Sequence, residues 1–125
     1  MLIDHIDLRV RDLTAARRFY DPLMAAMGFT RHELGDGPDI NYYLPDENHA
    51  LPFFGLMTDP NHKPNESRIA FRASNRDEVN RLAEVARAAG AREFDPPNGY
   101  GERGWYYAAF FEDIDGNKLE ICYRE

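Results

Sequence analysis

The chain has 125 residues, of which 43% are hydrophobic and 30% are charged, a balance typical of one globular domain. Its 22 acidic and 15 basic residues give a net charge of -7, which argues against a nucleic-acid backbone or an anionic membrane as a partner. No apolar run is long enough for a membrane span, the acidic start is not typical of a signal peptide, and the single cysteine, Cys122, suits a cytoplasmic location.

The beginning of the chain predicts a strand followed by a helix. Residues 5–10 alternate between polar and apolar side chains, which is typical of a strand with two different faces. The polar set consists of His5, Asp7 and Arg9. Asp12 stands at an N-cap position, ahead of an apolar stripe of helical spacing that ends at Gly28. Pro22 lies within this stripe, so we expect a kink or a break there, with Asp21 as a second cap.

Three short strand-like runs and a linker follow. The runs cover residues 29–34, 40–44 and 51–57, and turn residues separate them. Residues 58–67 contain two prolines and two asparagines and predict a linker. We therefore expect a first module at 1–57 and a second module at 68–125.

The second module repeats the pattern of the first. Its opening strand has a polar side formed by Arg68, Ala70 and Arg72. Asn75 followed by Glu78 predicts a helix start, and Gly90 predicts its end. After the helix we expect a short strand at 91–94, a loop rich in proline and glycine at 95–104, and a hairpin formed by 105–112 and 117–123.

Each module thus has the order β-α-β-β-β, which predicts an α+β fold of two tandem βαβββ modules. One helix can cover only one face of a four-stranded sheet, so each sheet keeps a bare face. We expect the two bare faces to form a half-open barrel with a central cleft, within a single domain that spans residues 1–125.

The polar positions of these strands predict a binding site in the cleft. His5 on the first strand and Glu120 on the last one supply nitrogen and oxygen donors from distant parts of the chain, as in sites for divalent metals. The other side chains that we expect to contact a ligand are Asp7, Arg9, Arg68, Arg72, Tyr106 and Phe110.

Several segments resemble the vicinal oxygen chelate superfamily, which includes glyoxalase I, extradiol dioxygenases, fosfomycin-resistance proteins and bleomycin-binding proteins. The matching segments are Asp-His-Ile at 4–6, Ile-Ala-Phe at 69–71 and Asp-Ile-Asp-Gly-Asn-Lys-Leu-Glu at 113–120. The run Tyr-Tyr-Ala-Ala-Phe at 106–110 is similar to a glyoxalase-like subgroup without an assigned activity. The resemblance covers nearly the whole chain and implies a homodimer, but the superfamily shares a scaffold more than a reaction.

The resemblance implies that His5 and Glu120 match the first and last metal ligands of the metal-dependent members. Arg68 stands where those members have a histidine, and residues 51–56 offer no ligand where glyoxalase I has one. Zinc sites in proteins use at least three protein ligands, and a guanidinium brings a permanent positive charge to the place of the ion. We therefore expect Arg68 to pair with Glu120, and we expect no cofactor.

Two functions remain open. The first is a glyoxalase-like protein that binds a small anionic metabolite in the cleft, or acts on it without a metal, with Glu120 as the candidate catalytic residue. The alternative is a metal-dependent enzyme similar to lactoylglutathione lyase or to ring-cleaving dioxygenases. In that case His5 and Glu120 would hold Zn, Ni, Mn or Fe, and water, substrate or a loop histidine (His49 or His62) would complete the site.

Overall fold

The computed structural model of the chain describes residues 3–33, 39–43 and 53–125. The chain divides into two compact units, Met1–His62 and Lys63–Glu125. The elements of the first unit are β1 (His5–Val10), α1 (Leu13–Ala26), β2 (Thr30–Glu33), β3 (Ile40–Tyr43) and β4 (Phe53–Thr58). Those of the second are β5 (Arg68–Arg72), α2 (Arg76–Ala88), β6 (Arg92–Tyr100), a short 3-10 helix (Glu102–Gly104), β7 (Tyr106–Glu112) and β8 (Lys118–Arg124).

The two units have the same sheet topology. The strand order is β1-β4-β3-β2 in the first unit and β5-β8-β7-β6 in the second. In each unit the first strand pairs in parallel with the last strand, and the other neighbours are antiparallel. The predicted α+β fold of two tandem βαβββ modules is therefore confirmed.

Both helices begin at the predicted caps. The Asp12 carboxylate accepts hydrogen bonds from the backbone N–H groups of Thr14 (2.9 Å) and Ala15 (3.4 Å), and the Asn75 side chain accepts one from that of Glu78 (2.8 Å). Such caps satisfy donors that the first helical turn leaves unpaired. The buried faces are formed by Ala16, Phe19, Tyr20, Leu23 and Met24 in α1 and by Val79, Leu82, Ala83 and Ala86 in α2.

Helix α1 continues through Pro22, so the prediction of a break there is wrong. The side chain of Asp21 is not a second cap. Its carboxylate accepts hydrogen bonds from the Tyr42 hydroxyl (2.8 Å) and from Arg31 (3.0 Å). Tertiary contacts of this kind, together with the buried face of the helix, offset the backbone hydrogen bond that proline removes.

Strand β6 corrects the prediction of a loop over residues 95–104. The strand extends to Tyr100 and includes two consecutive prolines. It lies at the edge of its sheet, where a missing backbone N–H need not face a neighbouring strand. Its register with β7 shifts on both sides of Asp95, so the strand contains irregularities of the β-bulge type.

The predicted hairpin of β7 and β8 is confirmed, and its turn is held by a buried carboxylate. Asp113 Oδ1 accepts hydrogen bonds from the backbone N–H groups of Asp115 (2.8 Å) and Asn117 (2.9 Å). This turn fixes the register of β8, which places Glu120 opposite Phe110. Among the described residues, neither helix is long and apolar enough to cross a membrane.

Candidate functional site

One face of the second sheet carries the candidate site residues of the second module. Glu120 on β8 lies between Ala70 on β5 and Phe110 on β7 in the register of the sheet. Directly opposed residues share a face, and every second residue along a strand returns to it. The face therefore comprises Arg68, Ala70 and Arg72 of β5, Tyr106, Ala108, Phe110 and Glu112 of β7, and Lys118, Glu120, Cys122 and Arg124 of β8.

Arg68 lies on an aromatic ring instead of pairing with Glu120. Its Cζ atom is 4.8 Å from the centroid of the Phe110 ring, which is a cation–π distance. In the described part of the chain the guanidinium makes no hydrogen bond and no ion pair, so the predicted direct pair with Glu120 is wrong. Stacking leaves the donors of Arg68 hydrated, whereas pairing with a buried carboxylate would require desolvation of the guanidinium.

Glu120 is a buried carboxyl group. Its residue is 6% exposed, and its Oε2 atom has no hydrogen-bond partner among the described residues. Burial raises the pKa of Glu120 above its ordinary value, and the charges of Arg68 and Arg124 oppose this rise without cancelling it. The carboxyl group therefore takes up a proton more readily than an exposed glutamate.

A cavity of about 530 Å³ opens beside Arg68 and Phe110. It is lined by Arg68, Glu93, Asp95, Tyr100, Phe110, Phe111, Glu112 and Lys118. The Tyr100 ring meets the Phe110 ring edge-on with 5.6 Å between centroids, and Lys118 Nζ lies 3.3 Å from Glu112 Oε2. Burial, the charge and hydrogen bonding of Asp95, and the charge of Glu120 raise the pKa of the Tyr100 hydroxyl.

The cavity contains residues that sequence reasoning missed. The sequence pattern predicts a loop at Asp95 and Tyr100, yet both lie on β6, where Asp95 is the register partner of Phe110. The sequence contains no signal for them, because the pairing of this segment with β7 as an edge strand is a tertiary feature. Arg68 and Phe110 are the two predicted ligand contacts that line the cavity.

The opposite end of the same face is rich in cations and aromatic rings. Arg124 Cζ lies 4.4 Å from the Tyr106 ring centroid and 5.3 Å from that of Trp105. Arg72 is exposed and is the register partner of the buried Cys122. Burial, more than any charge, raises the pKa of the Cys122 thiol, which makes it a poor nucleophile. Neither Arg72 nor Tyr106 lines the cavity.

The predicted site residues of the first unit form a cluster of their own. His5 Nδ1 is hydrogen-bonded to Asp4 Oδ1 (2.7 Å), and His5 Nε2 lies 3.7 Å from Asp7 Oδ2. The buried Asn41, which sequence reasoning missed, approaches the same place. A Cβ atom on Gly55 would lie 2.8 Å from Asp7 Oδ1 and 2.9 Å from Asn41 Oδ1, so glycine permits this convergence of oxygen atoms. Arg9 is exposed on the same strand.

The described residues do not provide a complete metal site. Within residues 3–33, 39–43 and 53–125, no three His, Cys, Asp or Glu side chains lie together in a way that could hold an ion. A guanidinium at position 68 adds a positive charge next to Glu120. His49, a candidate for an additional ligand, lies outside the described residues.

A duplicated βαβββ unit with a cavity on a sheet face defines the class of the protein, an α+β domain of tandem modules. The chain belongs to the Glyoxalase/Bleomycin resistance protein/Dioxygenase superfamily, whose family model matches residues 2–121. No curated protein matches the chain.

Solved structures share this fold at low sequence identity. A glyoxalase/bleomycin resistance protein from Albidiferax ferrireducens T118 is 23% identical, with 99% of this chain and 100% of that chain covered and a TM-score of 0.77. A glyoxylase/bleomycin resistance protein/dioxygenase domain from Frankia sp. EAN1pec is 20% identical, with 100% of this chain and 98% of that chain covered and a TM-score of 0.77.

A third similar structure contains a metal ion. It is a mutant of the genomically encoded fosfomycin resistance protein FosX from Listeria monocytogenes, complexed with Mn(II) and 1S,2S-dihydroxypropylphosphonic acid. It is 21% identical, with 95% of this chain and 86% of that chain covered and a TM-score of 0.71. At this level of identity the likeness establishes the fold alone.

Proposed function

We propose that the protein binds a small molecule through an anionic group, on the face of its second sheet that carries Phe110 and Glu120, with Arg68 as the main contact. The observation that carries the proposal is the position of the guanidinium. It lies on the Phe110 ring beside a cavity, and no hydrogen-bond acceptor among the residues that the structure describes occupies its donors.

The contact with Phe110 prepares Arg68 for an anion. A guanidinium presents donors in a planar fork that matches a carboxylate or a phosphate in a bidentate manner. The aromatic ring restrains the long side chain, so less conformational entropy is lost when a ligand binds. The edge of Tyr100 and the ring of Phe110 offer apolar surface for the remainder of the molecule.

Glu120 is a buried carboxyl group beside Arg68 and Phe110 that does not itself line the cavity. Because burial raises the pKa of Glu120, its carboxyl group is protonated more easily than usual, and a bound anion would favour the protonated form further. In that form Glu120 no longer repels the bound anion. The proposed roles are thus ionic contact for Arg68 and a proton-linked change of charge for Glu120.

The alternative function, a metal-dependent lyase or dioxygenase, has support from the Mn(II) in the FosX structure. The described residues do not favour this function, because no three metal-binding side chains among them lie together, and protein zinc sites use at least three. No step of the binding proposal depends on a metal. The metal content of the purified protein separates the two functions.

Benzoate is a suitable probe because it combines a carboxylate with a flat apolar ring. In a titration followed by two-dimensional NMR, we expect benzoate to shift the amide signals of β5, β7 and β8. Arg68→Met should weaken binding about tenfold or more, as expected for the loss of charge-assisted hydrogen bonds, and Arg68→Lys should weaken it less. Arg81→Met, on the exposed surface of α2, is the control and should have no effect.

Two results would refute the proposal. One is benzoate binding that is as tight in Arg68→Met as in the unmodified protein, when both give the dispersed spectrum of a folded chain. The other is the absence of benzoate-induced shifts in the amide signals of β5, β7 and β8 of the unmodified protein.

A further inference from the structure

Resting on the proposed function, we infer that the ligand is zwitterionic, with a basic amine close to its acid group, and that Asp95 is the residue that recognises the amine. This inference narrows the ligand class from anions in general to molecules that resemble amino acids.

The charges that line the cavity do not suit a purely anionic ligand. Two cations and three carboxylates line it. Lys118 and Glu112 are close enough to compensate each other, at 3.3 Å. Arg68 then remains against Glu93 and Asp95. A ligand with only negative charge would contact Arg68 but would leave these two carboxylates uncompensated, whereas a ligand with an additional amine would pair with one of them.

The irregular register of β6 singles out Asp95. The pairing with β7 shifts between Arg92 and Asp95 and again between Asp95 and Asn98. Asp95 is in register with Phe110 between these shifts, so its side chain is placed on the same face as the Phe110 ring. Bulges commonly re-aim side chains next to functional sites.

The separation of the two charged groups indicates a compact zwitterion. The Arg68 guanidinium reaches across β8 to lie on Phe110 of β7, and Asp95 is on the adjacent strand β6. Neighbouring strands are about 5 Å apart, so the cation and the carboxylate that face the ligand are separated by roughly one strand spacing. An α- or β-amino acid has its carboxylate and amine within such a distance.

The aromatic rings between these groups fit the same ligand. Tyr100 meets Phe110 edge-on, and both rings line the cavity next to Asp95. The faces of such rings attract an ammonium group and also pack against an apolar side chain. The interaction of Asp95 with the Tyr100 hydroxyl helps to hold the carboxylate on this side of the sheet.

Three related probes separate the parts of this inference. L-phenylalanine has both groups, hydrocinnamate lacks the amine, and phenethylamine lacks the acid. In NMR titrations we expect L-phenylalanine to bind about fivefold more tightly than hydrocinnamate, the size of effect given by one partly exposed ion pair. Phenethylamine should bind most weakly, because it cannot use Arg68.

Substitution of Asp95 tests the assigned residue. Asp95→Asn keeps an oxygen acceptor for Tyr100 but removes the charge, so L-phenylalanine should lose its advantage while hydrocinnamate binds at least as well as before. Asp77→Asn, on the exposed first turn of α2, is the control and should preserve the advantage.

The outcomes distinguish this inference from the proposed function. If hydrocinnamate binds in an Arg68-dependent manner and L-phenylalanine binds no more tightly, the zwitterion is wrong and the anion site stands. If the advantage of L-phenylalanine survives Asp95→Asn, the assignment of the amine to Asp95 is wrong. If neither L-phenylalanine nor hydrocinnamate binds, both the proposed function and this inference fail.

Discussion

Replacing Glu120 with glutamine tests the charge balance at the centre of the second sheet. Glu120 is 6% exposed and its Oε2 atom lacks a hydrogen-bond partner in the described part of the chain. Burial raises the pKa of Glu120, so the cost of desolvating the charge exceeds the attraction of Arg68 and Arg124. Glutamine has nearly the same shape and carries no charge. We therefore expect Glu120→Gln to stabilise the fold at neutral pH.

The size and pH dependence of this gain follow from the buried group. A buried polar group without a partner costs about 1–3 kcal/mol. Because glutamine keeps the polar atoms but not the charge, we expect a gain of about 1 kcal/mol. A raised pKa means that the folded state binds the proton more tightly than the unfolded state. Glu120 therefore destabilises the fold increasingly as the pH rises from 4.5, the ordinary pKa of glutamate, through the raised pKa of the folded state. Below about pH 4.5 the carboxyl group is protonated in both the folded and the unfolded state, so the gain in stability of Glu120→Gln should vanish.

Urea denaturation at a series of pH values measures this difference directly. Glu112→Gln is the matched control, because its carboxylate lies on the same face but is compensated by Lys118 at 3.3 Å. The free energy of unfolding of Glu112→Gln should not exceed that of the unmodified protein at neutral pH. The reasoning would be refuted if Glu120→Gln were less stable than the unmodified protein at neutral pH, or if its advantage were independent of pH.

Two further predictions concern the ligand and the metal. Benzoate should bind more tightly as the pH falls from neutral towards the range in which the probe itself is protonated, because the raised pKa lets Glu120 take up a proton before an exposed glutamate does. Glu120→Gln should remove most of this dependence, and a slope that persists in the variant would contradict it. Elemental analysis of the purified protein should find well under one equivalent of Zn, Ni, Mn or Fe. Stoichiometric metal that is lost on His5→Ala would instead support the metal-dependent alternative.

Features that depend on local chemistry could be predicted from the sequence. Asp12 and Asn75 cap their helices because a short acceptor side chain meets free backbone donors within the next few residues. The hairpin of β7 and β8 follows from an aspartate- and glycine-containing turn between two alternating runs. The alternation of β1 and β5 also predicts their exposed faces, since the period of a strand does not depend on distant contacts.

Features that depend on tertiary contacts could not be predicted in this way. Pro22 lies within a continuous helix, where Asp21 is held by Tyr42 from another element. The prolines of β6 indicate a loop when the sequence is considered alone, because an edge position cannot be recognised from the segment itself. Alternation placed Arg68 and Glu120 on one face, but it contains no information on whether the guanidinium contacts the carboxylate or the Phe110 ring.

The two units differ in a way that explains why the ligand chemistry is assigned to the second. The third residue of the first strand is Asp7 in one unit and Ala70 in the other, and their partners on the last strand are Gly55 and Glu120. Each unit thus has one carboxylate beside a small residue, but on opposite strands of the pair. The close approach of Asp7 Oδ1 to Gly55 shows that the space there holds one side chain. On the second sheet, Glu120 Oε2 is buried without a hydrogen-bond partner in its described surroundings, and a cavity lies beside the neighbouring Arg68, so we assign the ligand chemistry to this sheet.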